Sequence, residues 1–300
     1  MKIRSILCAA LLAGSAPAVA QETGTLKKLN DTGEIVLGVR DASIPFSYAD
    51  ESGKSIGYSV ELCMRVVDHL RQVLKKPDLK VRQQPVTSAN RVPLVVNGTV
   101  DLECGSTVNN IERQKTVAFS LTTFIVNTKF IVKNSSGIQK LSDLKGKTVS
   151  ITGGTNTMAK ITEINKEKNL NLSIINGKDH AESFLLLVND RVAGFAEDDI
   201  LLAGLAATSR TPNDFHLVSI EGMLADPYAL MMRRDDPRFK EAVDAGLREV
   251  FASGEIQRIY DKWFVKPIPP RNVVLNFPMG EQLKRALAKP TDSGDPNDYK

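Results

Sequence analysis

Residues 88–114 read SANRVPLVVNGTVDLECGSTVNNIERQ, which places a helix, a strand and a polar turn in immediate succession. The helix is expected over 88–98: Ser88 stands where a cap belongs, Pro93 falls within the first turns, an apolar face follows, and Gly98 ends it. TVDLEC (99–104) then reads as a strand. Where it runs out the chain offers Gly105, Ser106, Thr107 and Val108, with Arg113 close behind. Small hydroxyl residues and exposed backbone beside an arginine, at a strand end, have the form of a binding site.

Upstream, EIVLGVR (34–40) is an apolar run that ends in Arg40 and reads as a buried strand with a functional tip. A short helix ahead of it stops at Gly33. YSVELCMRVVDHLRQVL (58–74) has apolar residues three and four apart, hence a helix, and LKVRQQPV (79–86) alternates as a strand. Alternating strands and helices predict an α/β layer fold with a mainly parallel sheet. A second set follows, with strands at 129–134, 141–152 (after a Ser-capped turn), 172–177 and 192–197 and helices at 158–169, 181–190 and 198–209. Two consecutive α/β units suggest two lobes. PYALMMRR (227–234) reads as one further strand, and the helices at 237–254 and 255–264 are too few for a third core. They are expected to return to an existing lobe, with Trp263 and Phe264 as anchors. The stretch 265–277 looks like a wrap and KPTDSGDPNDYK (289–300) like a frayed end. The organisation expected is a leader at 1–20, lobe 1 at 21–127, lobe 2 at 128–222, a return to lobe 1 at 223–270 and a tail at 271–300. Two crossings give two connecting strands and a cleft that can close by hinge motion.

The leader reading comes from MKIRSILCAALLAGSAPAVAQE: a short cationic start, an apolar stretch from Ile6 to Ala13, and a small-x-small end at Ala18 to Ala20. Cleavage is expected after Ala20. Leu7 ahead of Cys8 argues against lipid attachment. No other segment approaches the roughly 20 apolar residues of a membrane anchor, so an exported, soluble mature chain is expected. Without Lys2 and Arg4, the 39 Lys and Arg fall to 37 against 35 acids, which is no nucleic-acid footprint. The leader also removes one of three cysteines. In an oxidising compartment Cys63 and Cys104 are expected to be bonded rather than packed as buried thiols. Two cysteines and scattered histidines make no metal site, and no cofactor motif is present. TGGTNT (152–157) does not fit the phosphate-loop pattern GxxxxGK[ST] and reads as a helix-capping loop.

The polar residues at strand ends are Arg40, Ser88 and Arg91, Ser106, Thr107 and Arg113, then Gly154, Thr155 and Asn156, Asp179 and His180, and Asp198 and Asp199. Such a set suits a small zwitterion with surplus negative charge. An α-carboxylate wants a planar guanidinium fork and backbone N–H groups, which Arg113 and the Ser106–Val108 turn supply. An ammonium wants a carboxylate, and Asp198 is the candidate; it could also be a plain helix cap, and the two roles are compatible. Arg40, Arg91 and His180 are then left for a second carboxylate. His69 and His216 lack such company and read as structural.

The segments GVRDASIPFSY, TSANRVPLVVNGTVDLECGSTVNNIERQKTVAFS, KDHAESF and AEDDILLAG together resemble the periplasmic glutamate/aspartate-binding proteins of ABC importers, within the polar amino-acid-binding family. The resemblance spans the mature chain up to DKWFVKPIPP. It implies a two-lobe type II periplasmic-binding-protein fold whose ligand cleft lies between lobes joined by two hinge strands. It also implies that Arg113 and the Ser106 region hold the α-carboxylate, that Asp198 holds the ammonium, and that Arg40, Ser88, Arg91 and His180 hold the side-chain carboxylate. Val108 and Asn156 depart from the family, which usually has threonines there. The implied function is periplasmic capture of L-glutamate or L-aspartate by a monomer, without catalysis or cofactor, for delivery to permease subunits. The alternatives are a periplasmic dehydratase-like enzyme acting on a small dicarboxylate, with Glu103 or His180 as its acid, and a ligand-sensing module. The second would ordinarily continue into a membrane span.

Overall fold

Two five-stranded sheets organise residues 24–300, the part described by the computed structural model. The expected leader and Cys8 lie outside the described residues. The first sheet runs Lys80–Pro85, Glu34–Val39, Leu102–Glu103, Met231–Arg233, Val117–Phe119. The second runs Ser173–Gly177, Thr148–Thr152, Gly194–Asp198, Thr128–Lys133, Phe215–Ser219. In each, the first three strands are parallel and the fourth is antiparallel to both neighbours. That fourth strand is always the one that has just arrived from the other sheet. Two α/β lobes are what the alternation of elements predicts; the antiparallel strand that each receives from the other is not.

Glu34–Val39 and Gly194–Asp198 are buried nearly throughout, and the first reads as a continuous apolar run for that reason, while the second ends in two buried acids. Lys80–Pro85 lies at an edge and keeps its alternation. The helices Tyr58–Val73, Pro237–Ala252 and Glu255–Phe264 share one apolar cluster with the first sheet. Trp263 and Phe264 are buried in it. Cys63 in the first of these helices is bonded to Cys104 at the end of strand Leu102–Glu103.

Phe124–Val126 and Asp226–Tyr228 pair antiparallel and form the two crossings. Phe124 and Tyr228, one on each, pack edge-on against Phe46, and Phe124 stacks on Phe264. Aromatic pairs of this kind add about 0.5–1.5 kcal/mol each beyond area burial, which anchors both crossings to lobe 1.

Four expectations are corrected. Residues 227–234 form two strands, because the backbone leaves the crossing pair at Tyr228 and joins the first sheet at Met231. The helix expected from Ser88 begins at Arg91 with Asn90 as cap residue, since Thr87 and Asn90 bond each other's backbone N–H first. Strand Phe215–Ser219 and the three-stranded meander at 42–56 were not anticipated. The end at 289–300 is not frayed: a short turn of helix forms at Pro296–Tyr299, and Tyr299 is buried against Thr122, while a helix at Glu281–Ala288 precedes it. Its polar composition hides a docking role, because its backbone carbonyls accept from lobe 1.

Candidate ligand-binding cleft

Each lobe presents the carboxyl ends of its parallel strands to the other. Arg40 follows Glu34–Val39 and is buried, donating from Nη2 to Ser88 Oγ at 2.9 Å. Ser88, released from capping, serves instead as its acceptor. Arg91 is buried to 2% exposure and donates from Nη1 to Thr107 Oγ1 at 2.5 Å and to the Ser106 carbonyl at 3.3 Å. Thr107 passes this on to Glu103 Oε2 at 2.6 Å. Gly105 makes room for that arrangement, since a Cβ there would lie 2.2 Å from Glu103 Oε1 and 2.9 Å from Arg40 Cγ.

Val108 bridges Tyr228 in antiparallel fashion, and its carbonyl accepts from Arg113 Nη1 at 2.8 Å. Arg113, half-buried, sits in the short helix Ile111–Gln114 and also donates from Nη2 to the Gly154 carbonyl of lobe 2 at 3.3 Å. Gly154 has φ +78°, and a Cβ on it would stand 2.7 Å from Ala89 Cα, so the lobes meet here backbone to backbone. Asn156 is drawn into the same seam: its Oδ1 accepts from Asn110 at 2.9 Å and its amide faces Asp226 at 3.5 Å. Thr155 caps helix Asn156–Glu167, accepting from the Met158 N–H and donating to the Thr152 carbonyl. The hydroxyl of Thr155 is thus occupied locally, and the Asn156 side chain ties the lobes together.

On the lobe 2 side, Asp179 caps helix His180–Val188 and turns away, leaving His180 as its first residue, buried to 2% exposure. His180 Nδ1 lies 2.9 Å from Thr152 Oγ1 and 3.3 Å from Glu197 Oε2. Asp198 makes no side-chain cap bond to its helix; it accepts from Tyr228 Oη and from Thr128 Oγ1 at 3.3 Å. Asp198 thus occupies the cap position of helix Asp199–Ala207 while its carboxylate bonds elsewhere. Asp199 instead accepts from the Asn127 and Ile200 N–H groups. His69 and His216 take structural partners, Glu249 and Asn134 with Ile138.

Sequence reasoning missed Glu197, Tyr228, Asn110 and the Lys160–Asp226 ion pair, and weighed Glu103 only as an enzyme's acid. The available signal was Glu197 itself, a carboxylate inside an apolar strand, where burial demands a partner. These acids alter the charge balance: Arg40, Arg91 and Arg113 share the cleft with Glu103, Glu197 and Asp198, so a formal cationic surplus is absent. Burial does part of the work instead. It raises Glu197 to about 7 and, together with the Glu197 charge, pushes Asp198 well above the usual carboxylate range. It lowers Arg40 and Arg113 to about 10, which keeps both charged at neutrality. Burial and then the charges of Arg40 and Arg91 drive His180 well below its ordinary value, so it stands neutral. Among the described residues, Arg40 Nη1, Arg91 Nε, Ser106 Oγ, His180 Nε2, Glu103 Oε1 and Glu197 Oε2 are buried with no hydrogen-bond partner in the protein. No group of three or more His, Cys, Asp or Glu able to hold a metal occurs among the described residues.

Two α/β lobes on an antiparallel hinge, with buried guanidinium, hydroxyl and carboxylate groups between them, define a protein that closes on a small polar solute. The chain belongs to the bacterial extracellular solute-binding proteins, family 3, whose sequence model matches residues 35–266. It is 49% identical over 292 residues to the L-glutamate/L-aspartate-binding protein of Pseudomonas aeruginosa, covering 96% of each chain. It is 42% identical over 291 residues to the glutamate/aspartate import solute-binding protein of Escherichia coli, again covering 96% of each. Among solved structures, a histidine-bound substrate-binding protein of an ABC uptake transporter from Streptococcus pneumoniae superposes with TM-score 0.71 at 24% identity, over 79% of this chain and 95% of that one. An ancestral amino-acid-binding protein, a precursor of cyclohexadienyl dehydratase, superposes with TM-score 0.69 at 23% identity, over 80% and 99%. At these identities the two structures establish the shared fold.

Proposed function

We propose that this protein captures L-glutamate or L-aspartate between its lobes and delivers it to the permease of an ABC importer. The observation that carries the reading is the set of buried donors left without protein partners, Arg40 Nη1, Arg91 Nε, Ser106 Oγ and His180 Nε2, gathered about one cleft. They exceed what a neutral amino acid uses, and the names of both relatives specify the same two ligands.

Arg113, with the backbone N–H groups and hydroxyl of the Ser106–Val108 turn, takes the α-carboxylate. Val108 contributes backbone only. Asp198, held by Tyr228 and Thr128, takes the ammonium. Arg40, Ser88, Arg91 and His180 take the side-chain carboxylate, while Thr107 fixes Arg91. Thr155 and Asn156 support the lobe 2 face of the cleft. Ligand contacts from both lobes exist together only when the lobes are shut, so the ligand shifts the population toward closure by its differential affinity. The lobes comprise 21–127 with 223–270, and 128–222; the chain works as a periplasmic monomer after loss of residues 1–20.

Catalysis on a dicarboxylate is the weaker reading. Members of the family are solute-binding proteins, and kinship of fold with a dehydratase precursor carries no chemistry. Calorimetry against the twenty amino acids tests the proposal: tight binding of glutamate or aspartate is expected. Tight binding of a neutral or basic amino acid, with none of glutamate or aspartate, would reject it.

A further inference from the structure

The two oxygens of Glu197 have unequal surroundings. Oε1 accepts from Thr157 Oγ1 at 3.0 Å and from the Asp198 N–H at 3.2 Å. Oε2 is buried, accepts nothing, and lies 3.3 Å from His180 Nδ1. His180 Nε2 is equally buried and without a protein partner. A neutral imidazole carries one N–H. On Nε2 it is a donor for an incoming carboxylate; on Nδ1 it leaves a lone pair facing that carboxylate, which repels it.

Thr152 does not decide between these tautomers. Its hydroxyl lies 2.9 Å from Nδ1 and 3.0 Å from Ser183 Oγ, whose own proton goes to the Asp179 carbonyl. Thr152 can donate to Nδ1, or accept from Nδ1–H while donating to Ser183. The choice falls to Glu197 Oε2. Ionised, it draws the N–H to Nδ1. Protonated, it donates into Nδ1 and leaves the N–H on Nε2.

We propose that Glu197 is a positioning residue that keeps a proton on Oε2, and so holds His180 in the Nε2–H tautomer that meets the second carboxylate of an acidic amino acid. This rests on the cleft being an acidic amino-acid site. The groups whose charges bear on Glu197 are Arg91 and Arg40 from lobe 1 and the adjoining Asp198. Glu197 acts in turn on Arg113 and Tyr228, and Asp226 lies beyond, against Asp198. Burial raises Glu197, while the two arginines favour its anion. A bound carboxylate offsets the arginines, and a bound ammonium claims Asp198 as the anion. Adjacent buried carboxylates resist ionising together, so the remaining proton stays with Glu197. The sign of the Glu197 contribution follows: relative to a variant that cannot titrate at this position, glutamate affinity is full below the ligand-free value, about 7, and falls as pH rises above it, by up to about tenfold per pH unit until the ligand-bound value is reached, whereas Asp198, raised when empty and ionised by the ammonium, contributes the opposite sign whether or not Glu197 is present. Glutamine, without the second carboxylate, is affected less.

The test combines 15N NMR of His180 in the glutamate-bound protein with calorimetric affinities from about pH 6 to about pH 8.5, below the ligand's own ammonium titration. In Glu197→Gln the amide oxygen can take the Thr157 and Asp198 donors while its NH2 donates to Nδ1. Expected are an Nε2–H tautomer in the wild type, in Glu197→Gln and in Thr152→Val, and a wild-type affinity profile that falls relative to that of Glu197→Gln above about pH 7. Glu197→Ala should lose about tenfold or more for glutamate and less for glutamine. An Nδ1–H tautomer or an imidazolium in the bound wild type overturns the proposal, as does a tautomer that flips in Thr152→Val. Tight glutamate binding with parallel profiles in the wild type and Glu197→Gln sinks the role of Glu197 alone. Failure of acidic amino acids to bind at any pH sinks the functional reading with it.

Discussion

Replacing Arg91 by alanine separates recognition of an acidic side chain from recognition of an amino acid in general. The guanidinium is 2% exposed, and its Nη1 is committed to Thr107 and the Ser106 carbonyl. Nε has no protein partner, so the Nε and Nη2 edge can meet a carboxylate as a fork. Two charge-assisted hydrogen bonds at about 1.5–3 kcal/mol each give about 3–6 kcal/mol, in line with the 3–5 kcal/mol typical of a buried charge stripped of its partner. At about 1.4 kcal/mol per decade, glutamate affinity should fall by about a hundredfold to about twenty-thousandfold. Glutamine presents one neutral carbonyl to the same edge and should lose at most about tenfold. Arg91→Lys keeps the charge without the fork and should fall between the wild type and alanine. Calorimetry with both ligands reads the two losses, and a ligand-free thermal melt checks that the fold survives. Equal losses for glutamate and glutamine, or less than about tenfold for glutamate, would refute the assignment of Arg91 to the second carboxylate.

Arg113→Ala should abolish binding of acidic and neutral amino acids alike, because it removes the guanidinium proposed for the α-carboxylate and the donor to Gly154; calorimetry that detects either ligand at near wild-type affinity contradicts this. Removing the bond between Cys63 and Cys104, 41 positions apart, should lower unfolding free energy by about 3–4 kcal/mol on the chain-entropy account, measured by denaturant titration of the double alanine variant. Truncation after Lys289 removes the Asp292 carbonyl that accepts from Asn109 and Gln114 at 2.9 Å each. Those residues flank the turn assigned to the α-carboxylate, so affinity for every ligand should drop by a similar factor, about tenfold; an unchanged affinity shows that the tail braces nothing.

Local patterns made the fold legible. Apolar runs ending in Arg40 and Glu197 are covered strands, three-and-four spacing at 58–74 is a helix, and their alternation is an α/β lobe met twice. The split of 227–234 and the ordering of 289–300 were not legible. Each depends on which distant surface the backbone meets, and neither the partner strand Phe124–Val126 nor the acceptors for Asn109 lie nearby in the chain.

The same division runs through the cleft. Arg40, Ser88, Arg91, Arg113, His180 and Asp198 could be singled out from sequence because strand ends in α/β layers converge and residue chemistry limits what each can bind. Their electrostatics could not. Burial neutralises His180, lifts Glu197 and Asp198, and brings three carboxylates against three guanidinium groups. Ionisation depends on dielectric and on neighbours that meet only after folding. The sequence by itself determined which groups are present and which elements carry them. Tertiary structure alone decided which are charged, which are paired, and which are left free for a ligand.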